Sequence, residues 1–369
     1  MACAARTHPL RQPPNHKPPV PRWQLVLPGN VTRIFTAYIG IQPRSGTTAK
    51  AVLDQVSSRV EAWLHEESPS RPQTAESFVV LDGDDVRGAK VWLCYWDDEI
   101  QGKEALRRLD LPSVHSALPS TDQSSTGIWS ESFSTPTTRL ETNYTGLDYL
   151  PGLAQLHNTS TEPHTMTAYW GAARDRISDS AHDLFEKDAA IDMTPRAESE
   201  NSTTRHLSGV NYKNMIHIRS GQFWQSCEPE ETSSYEESLE PTLRAGLQYL
   251  WDNRLVSGAL GLRYLRNTDG TDRILKETCG AGFFCNLQNL EDWAKKHPSH
   301  VAIYTGAIKH ARRFGEGRKF RTWHEVSVLN EGDAHFEYIN CLPKTGVIRF
   351  LKLQEVEEKR VGSEASQRE

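Results

Sequence analysis

Short runs in which apolar and polar residues alternate recur along this chain, separated by stretches of helical spacing. That rhythm limits the fold more than any other feature. Phe35, Ala37, Ile39 and Ile41 alternate with Thr36, Tyr38 and Gln42, and Val91, Leu93 and Tyr95 do the same before Asp97. The runs MTAYWGA (166–172), NMIHIRS (214–220), HVAIYTGA (300–307), TWHEVSVL (322–329) and HFEYINC (335–341) follow and are expected as strands. Between them, Leu239, Leu243, Leu247 and Leu250 return at helical spacing, with Pro241 in the first turn of a second helix. Leu287, Leu290 and Ala294 form another stripe, expected to stop at Pro298. Strand, helix and then two or more strands, occurring twice, predict an α+β fold with a split-βαβ, ferredoxin-like arrangement rather than a parallel βαβαβ sheet.

The margins read differently from the body. Residues 1–24 are Pro-rich and expected to be a disordered extended tail, and 353–369, rich in Glu, Lys, Arg and Ser, a solvated end. The Ser/Thr-rich stretches 112–127 and 194–209 are expected as surface loops. Residues 25–352 are then one domain in two halves, about 25–150 and 160–352.

Bulk chemistry removes several functions. A net charge of −6, from 42 basic and 48 acidic residues, offers no basic excess for a phosphate backbone, so nucleic acid is not an expected partner. No apolar run is long enough to span a bilayer, and the proline-broken start suits neither a secretory nor a transit signal. Six scattered cysteines without a CxxC pair point to a reducing compartment, and the cytoplasm is the expected location. Neither GxGxxG nor GxxxxGK[ST] occurs.

Four side chains sit where the pattern expects something else. In NMIHIRSGQFW the alternation places Ser220 on the apolar face of Ile216 and Ile218, opposite Met215, His217 and Arg219. A serine there either bonds back to backbone where the strand stops or meets a ligand. In RTWHEVSVL, His324 shares a face with Thr322, Val326 and Val328; it is either a satisfied core histidine or an inward proton carrier. His300 falls in the turn expected after Pro298, either as a polar turn residue or as a single imidazole aimed at a cofactor; a zinc site with His297 lacks a third ligand. Arg176 closes the expected strand 166–172 into a loop, as part of a surface Arg-Asp-Arg cluster or as a permanent donor toward a cavity.

Five segments in this order, YWGAARDR (169–176), IRSGQFW (218–224), LEDWAKKHPSH (290–300), HEVSV (324–328) and FEYINC (336–341), resemble the haem-containing aldoxime dehydratases. Weaker similarity in AYIGIQ and YWDD extends the likeness over roughly residues 30–350. The resemblance implies a lyase that converts aldoximes to nitriles and water, as a homodimer carrying haem b active as Fe(II). The substrate nitrogen is bound to the iron and the haem lies inside a barrel-like core flanked by helices. It implies that His300 is the axial iron ligand, that His324 is the distal acid/base, that Ser220 bonds the aldoxime hydroxyl, and that Arg176 supports the distal site. Glu141 is a looser match to a family glutamate. The competing expectations are a peroxidase-like haem enzyme, a haem-binding or sensing protein without turnover, and an interaction domain without cofactor.

Overall fold

The computed structural model describes residues 6–44, 50–186, 194 and 205–356. Its strands are β1 (Trp23–Val26), β2 (Arg33–Pro43), β3 (Thr74–Gly83), β4 (Lys90–Trp96), β5 (Thr126–Pro136), β6 (Leu140–Tyr144) and β7 (Ser160–Pro163). The remaining strands are β8 (His206–Val210), β9 (Ile216–Phe223), β10 (Ala259–Thr268), β11 (Ile274–Phe284), β12 (Arg321–Val328), β13 (Ala334–Ile339) and β14 (Gln354–Glu355). The helices are α1 (Lys50–His65), α2 (Glu99–Leu109), α3 (Leu111–Ser116), α4 (Ser120–Ser125) and α5 (Ala172–Arg176), followed by α6 (Pro229–Ser234), α7 (Glu240–Asp252), α8 (Arg254–Ser257), α9 (Leu287–Lys296) and α10 (Pro298–Phe314).

All strands join one 14-stranded sheet in the order β14-β8-β13-β5-β2-β4-β3-β10-β11-β9-β12-β6-β1-β7. The α+β class is as expected; the barrel is not. The end strands β14 and β7 each pair on one side only, so the sheet curls without closing. Curling brings the two halves' inner faces together. Tyr38 meets His217 at 5.4 Å between ring centroids, the Tyr95 hydroxyl donates to Glu325 at 2.6 Å, and Arg263 donates to both oxygens of Glu131 at 2.8 and 2.7 Å.

Two runs of that sheet share one connectivity. In β5-β2-β4-β3 the chain passes from β2 through α1 to β3 and β4, then through α2 to β5; in β12-β9-β11-β10 it passes from β9 through α7 to β10 and β11, then through α9 and α10 to β12. They join edge to edge through β3 and β10. A matching detail fixes their correspondence: Gly40 pairs with Trp129 as Gly221 pairs with Trp323. A Cβ on either glycine would lie 2.0 or 2.2 Å from the indole of its partner, so each large ring lies flat over a residue that has no side chain.

Several local expectations are corrected. HVAIYTGA is helical, not a strand: Pro298 opens α10 at its first turn, and the side chain of His297 accepts from Ser299 N at 3.3 Å as the cap. Burial then follows Ile303, Ala307, His310 and Ala311, a helical rather than an alternating pattern. MTAYWGA is irregular, because Ala168 and Gly171 both take left-handed backbone angles that no strand continues through. Arg176 therefore lies in the one-turn helix α5 instead of closing a strand. The stretch 112–127 holds α3, α4 and the start of β5 instead of a loop.

At the margins, 206–209 of the second expected loop and 354–355 of the solvated end form β8 and β14, while 195–204 and 357–369 lie outside the described residues. The expected disordered tail is also corrected for residues 6–22. They form neither helix nor strand, yet Thr7 N bonds Ala181 O at 2.9 Å, His16 Nε2 meets Thr167 O at 2.7 Å, and Gln12 N donates to Asp175 at 3.0 Å.

Candidate active site

Sheet register assembles one wall of a cavity. His324 on β12 pairs directly with Ser220 on β9 and with Asn143 on β6, and Ser220 pairs with Gly280 on β11. Cross-strand partners share a face, so Asn143, His324, Ser220 and Gly280 form one row. Glu141, Val326, Ile218 and Gly282 form the next row. Facing this wall are α7, α9 and α10, and between lies a cavity of about 750 Å³ lined largely by apolar side chains such as Leu243, Leu247, Leu290 and Ile303. That size is typical of cofactor sites.

His300 enters from the helical wall, in the first turn of α10. The Trp293 ring meets it edge-on at 4.7 Å between centroids. Its Nδ1 is buried without a hydrogen-bond partner of normal geometry. Burial lowers its pKa, with the backbone carbonyl of Ala294 opposing, which keeps the imidazole neutral. His297 is committed elsewhere, stacked on Tyr249 at 3.4 Å and bonded through Nδ1 to Ser299 at 2.8 Å. No cluster of three potential metal-binding side chains occurs among the described residues.

On the sheet wall, His324 Nε2 lies 3.0 Å from Arg176 Nη2 and 3.1 Å from Glu141 Oε1, and Arg176 Nε donates to Glu141 Oε2 at 2.9 Å. The carboxylate and guanidinium side chains are 0% and 3% exposed, whereas the imidazole is 28% exposed on the cavity side of the triad. Burial alone would raise the pKa of Glu141, but Arg176 and His324 outweigh it and hold it at about 2. The same cluster explains His164, which burial first and Arg176 second push down to about 4; its Nε2 lies 3.3 Å from Asn143 Oδ1.

The Arg-Asp-Arg triplet is not a surface cluster. Arg174 pairs with Glu291 of α9 at 2.8 Å, Asp175 accepts from the backbone N–H of Arg11 at 2.9 Å and from the Tyr169 hydroxyl at 2.8 Å, and Arg176 reaches Glu141. Three consecutive residues thus tie a helix, the N-terminal segment and the sheet to one another. All four residues expected from the sequence, His300, Ser220, His324 and Arg176, line the same cavity, and Glu141 joins them. Sequence reasoning missed Asn143, His164 and Arg22. Asn143 was findable, two residues beyond Glu141 on the same face of β6; the other two lie on irregular or terminal segments without periodicity.

The profile of the haem-containing dehydratases matches residues 37–347. The chain belongs to that family. It is 27% identical over 346 residues to the phenylacetaldoxime dehydratase of Bacillus sp. (strain OxB-1), covering 94% of this chain and 96% of that one. It is 29% identical over 346 residues to the aliphatic aldoxime dehydratase of Pseudomonas chlororaphis, covering 93% and 95%. A crystal structure of aldoxime dehydratase superposes with a TM-score of 0.81 at 29% identity, covering 94% of this chain and 95% of the other. An aldoxime dehydratase in complex with butyraldoxime gives 0.78 at 28% identity, covering 94% and 93%.

The residues present fit a haem. An imidazole that burial keeps neutral stands on one wall of an apolar cavity, its buried Nδ1 without a partner of normal geometry. On the other wall Gly280 leaves a flat patch, where an added Cβ would meet only Leu247 at 3.6 Å.

Proposed function

We propose that this protein is an aldoxime dehydratase, converting R–CH=N–OH to a nitrile and water, with His300 holding the haem iron and His324 as the distal acid/base. The observation that carries the reading is the His324–Arg176–Glu141 triad beside Ser220 on the wall opposite His300. The aldoxime dehydratases described above, similar over nearly the whole chain, support the substrate class.

Haem, when bound, supplies an iron centre and the electron density that weakens an N–O bond. The remaining work is proton handling. Hydroxide leaves poorly, so a proton must reach the oxime oxygen as the N–O bond stretches, and one must leave the carbon for the C≡N bond to form. His324 Nε2 faces both members of the buried ion pair, 3.0 Å from Arg176 Nη2, which can donate to it, and 3.1 Å from Glu141 Oε1. The ring is thus held between a donor and a carboxylate, on the cavity side, where a residue that gives and then recovers a proton is needed. Ser220, the cross-strand partner of His324, is placed to bond the hydroxyl that receives the proton. Arg176 and Glu141 act through the imidazole, as positioning residues.

Several finer points belong to the same proposal. The cofactor is inferred to be haem b, working as Fe(II). The two equivalent sheet runs, with their matched glycine–tryptophan pairs, support the reading of residues 25–150 and 160–352 as two ferredoxin-like halves. The location is inferred to be the cytoplasm, as the sequence suggested; among the described residues no helix is long and apolar enough to cross a membrane. The homodimer rests on the resemblance alone, and light scattering on the purified protein tests it.

The experiment for the activity is anaerobic incubation of dithionite-reduced protein with phenylacetaldoxime and with butyraldoxime, followed by gas chromatography. Nitrile from at least one is expected. A protein that shows a haem Soret band yet forms no nitrile from either overturns the reading.

A further inference from the structure

Three arginines line the cavity: Arg11, Arg22 and Arg176. Two are neutralised. Arg11 pairs with Glu291 at 3.3 Å and Arg176 with Glu141 at 2.9 Å. Arg22 has no carboxylate within ion-pair distance among the described residues, and its guanidinium makes one hydrogen bond, from Nη1 to the carbonyl of its own neighbour Pro21 at 2.9 Å. A guanidinium carries five N–H donors, so most of its capacity is unspent. Its surroundings make this costly. Burial, then the like charges of Arg318 and Arg176, push its pKa down to about 10, still high enough to leave it charged.

The position is also fixed. Trp23, the next residue, starts β1 and pairs with Pro163 of β7, and the carbonyl of Arg22 accepts from His164 N at 3.0 Å. A half-buried cation held at a cavity wall by sheet register, without a counter-ion of its own, is a site for an anion. The oxime group proposed above as the reacting group is neutral. The bound cofactor is not, since haem carries propionate carboxylates on its rim.

We propose that Arg22 anchors a propionate carboxylate of the haem, completing its hydrogen bonds and its charge balance only when the cofactor is bound. The inference rests on the haem reading above. Arg22 then contributes to retention of the cofactor, and the N-terminal segment is part of the haem site.

The test follows haem loss from the holoprotein to excess apomyoglobin, read at the Soret band. Arg22→Leu is expected to release protohaem roughly tenfold faster or more, the scale of one charge-assisted hydrogen bond, and Arg22→Lys to fall between it and the parent. Reconstitution with haem dimethyl ester, which has no free carboxylate, removes the difference: parent and Arg22→Leu are expected to release the ester at one rate. Equal protohaem loss from parent and Arg22→Leu overturns the assignment. So does an equal acceleration for protohaem and ester, which would mark a general loosening independent of the propionates. A parent protein that retains no haem sinks the proposed function as well, and so separates the two failures.

Discussion

The two halves of the sheet share a connectivity but spend their outer faces differently. In the first half, Trp92, Ile39 and Ser130 lie in one row across β4, β2 and β5; in the second, the corresponding row across β11, β9 and β12 is Gly280, Ser220 and His324. One row further on, Cys94 and Ala37 correspond to Gly282 and Ile218. The outer face of the first half packs solidly, with Trp92, Cys94 and Trp96 against Val56, Val60 and Trp63 of α1. The second half puts glycine where the first has tryptophan, and its helices stand off to leave the cavity. The cavity lies where one of two sheet runs of the same connectivity leaves its outer face unfilled.

The largest effect should come from undoing that exchange. Gly280→Trp restores to the second half the ring that Trp92 supplies in the first, and is expected to abolish the Soret band while far-UV circular dichroism stays near that of the parent. Full haem loading of this variant would break the comparison. Next come the two histidines on opposite walls. His300→Ala should lose or loosen haem, whereas His324→Ala should keep it and turn over roughly 10²–10⁴-fold more slowly; nitrile formation at the parental rate would remove His324 from its role.

A smaller effect concerns the ionic triad, which the first half lacks at Ser130. The pKa of Glu141 is depressed in the folded state, so the stability it contributes is present above the ordinary carboxylate range and lost as pH falls toward about 2. Glu141→Gln is expected to cost on the order of 3 kcal/mol at neutral pH, with the gap to the parent closing between roughly pH 5 and 2 in urea titrations. A gap independent of pH would mean the carboxylate's charge does not matter. The smallest effect is expected at the position matching His324 in the solid half: Ser130→Ala should change haem content and turnover by less than about twofold, since surrounding apolar packing leaves it no chemistry. A larger loss would mean that the filled face communicates with the open one.

Sequence pattern placed the side chains that line the cavity more faithfully than the elements around them. Ser220 and His324 were legible because period-2 alternation is strict in β9 and β12, and both strands are where the pattern puts them. That the two residues are direct partners was not legible, because register is set by long-range pairing. His300 was expected in a turn before a strand and lies instead in the first turn of a helix. Pro298 both ends one helix and begins the next, and a β-branched run after it mimics a strand. The chain around Arg176 escaped because two left-handed residues, one of them an alanine, redirect it. Arg22 carried no signal at all: its role depends on a missing counter-ion, a property of space and not of spacing.

Asp175 has a practical corollary. Its carboxylate clasps the main chain of Arg11 and Gln12, and neither helix nor strand secures residues 6–22. The part of the pocket's rim around Arg11 is therefore detachable, held by contacts with α5 and its neighbours, whereas Arg22 at the segment's end is tied to the sheet. Limited proteolysis that clips this strap should open the pocket while the β-scaffold stays intact, and affinity tags fused ahead of it belong at the other terminus.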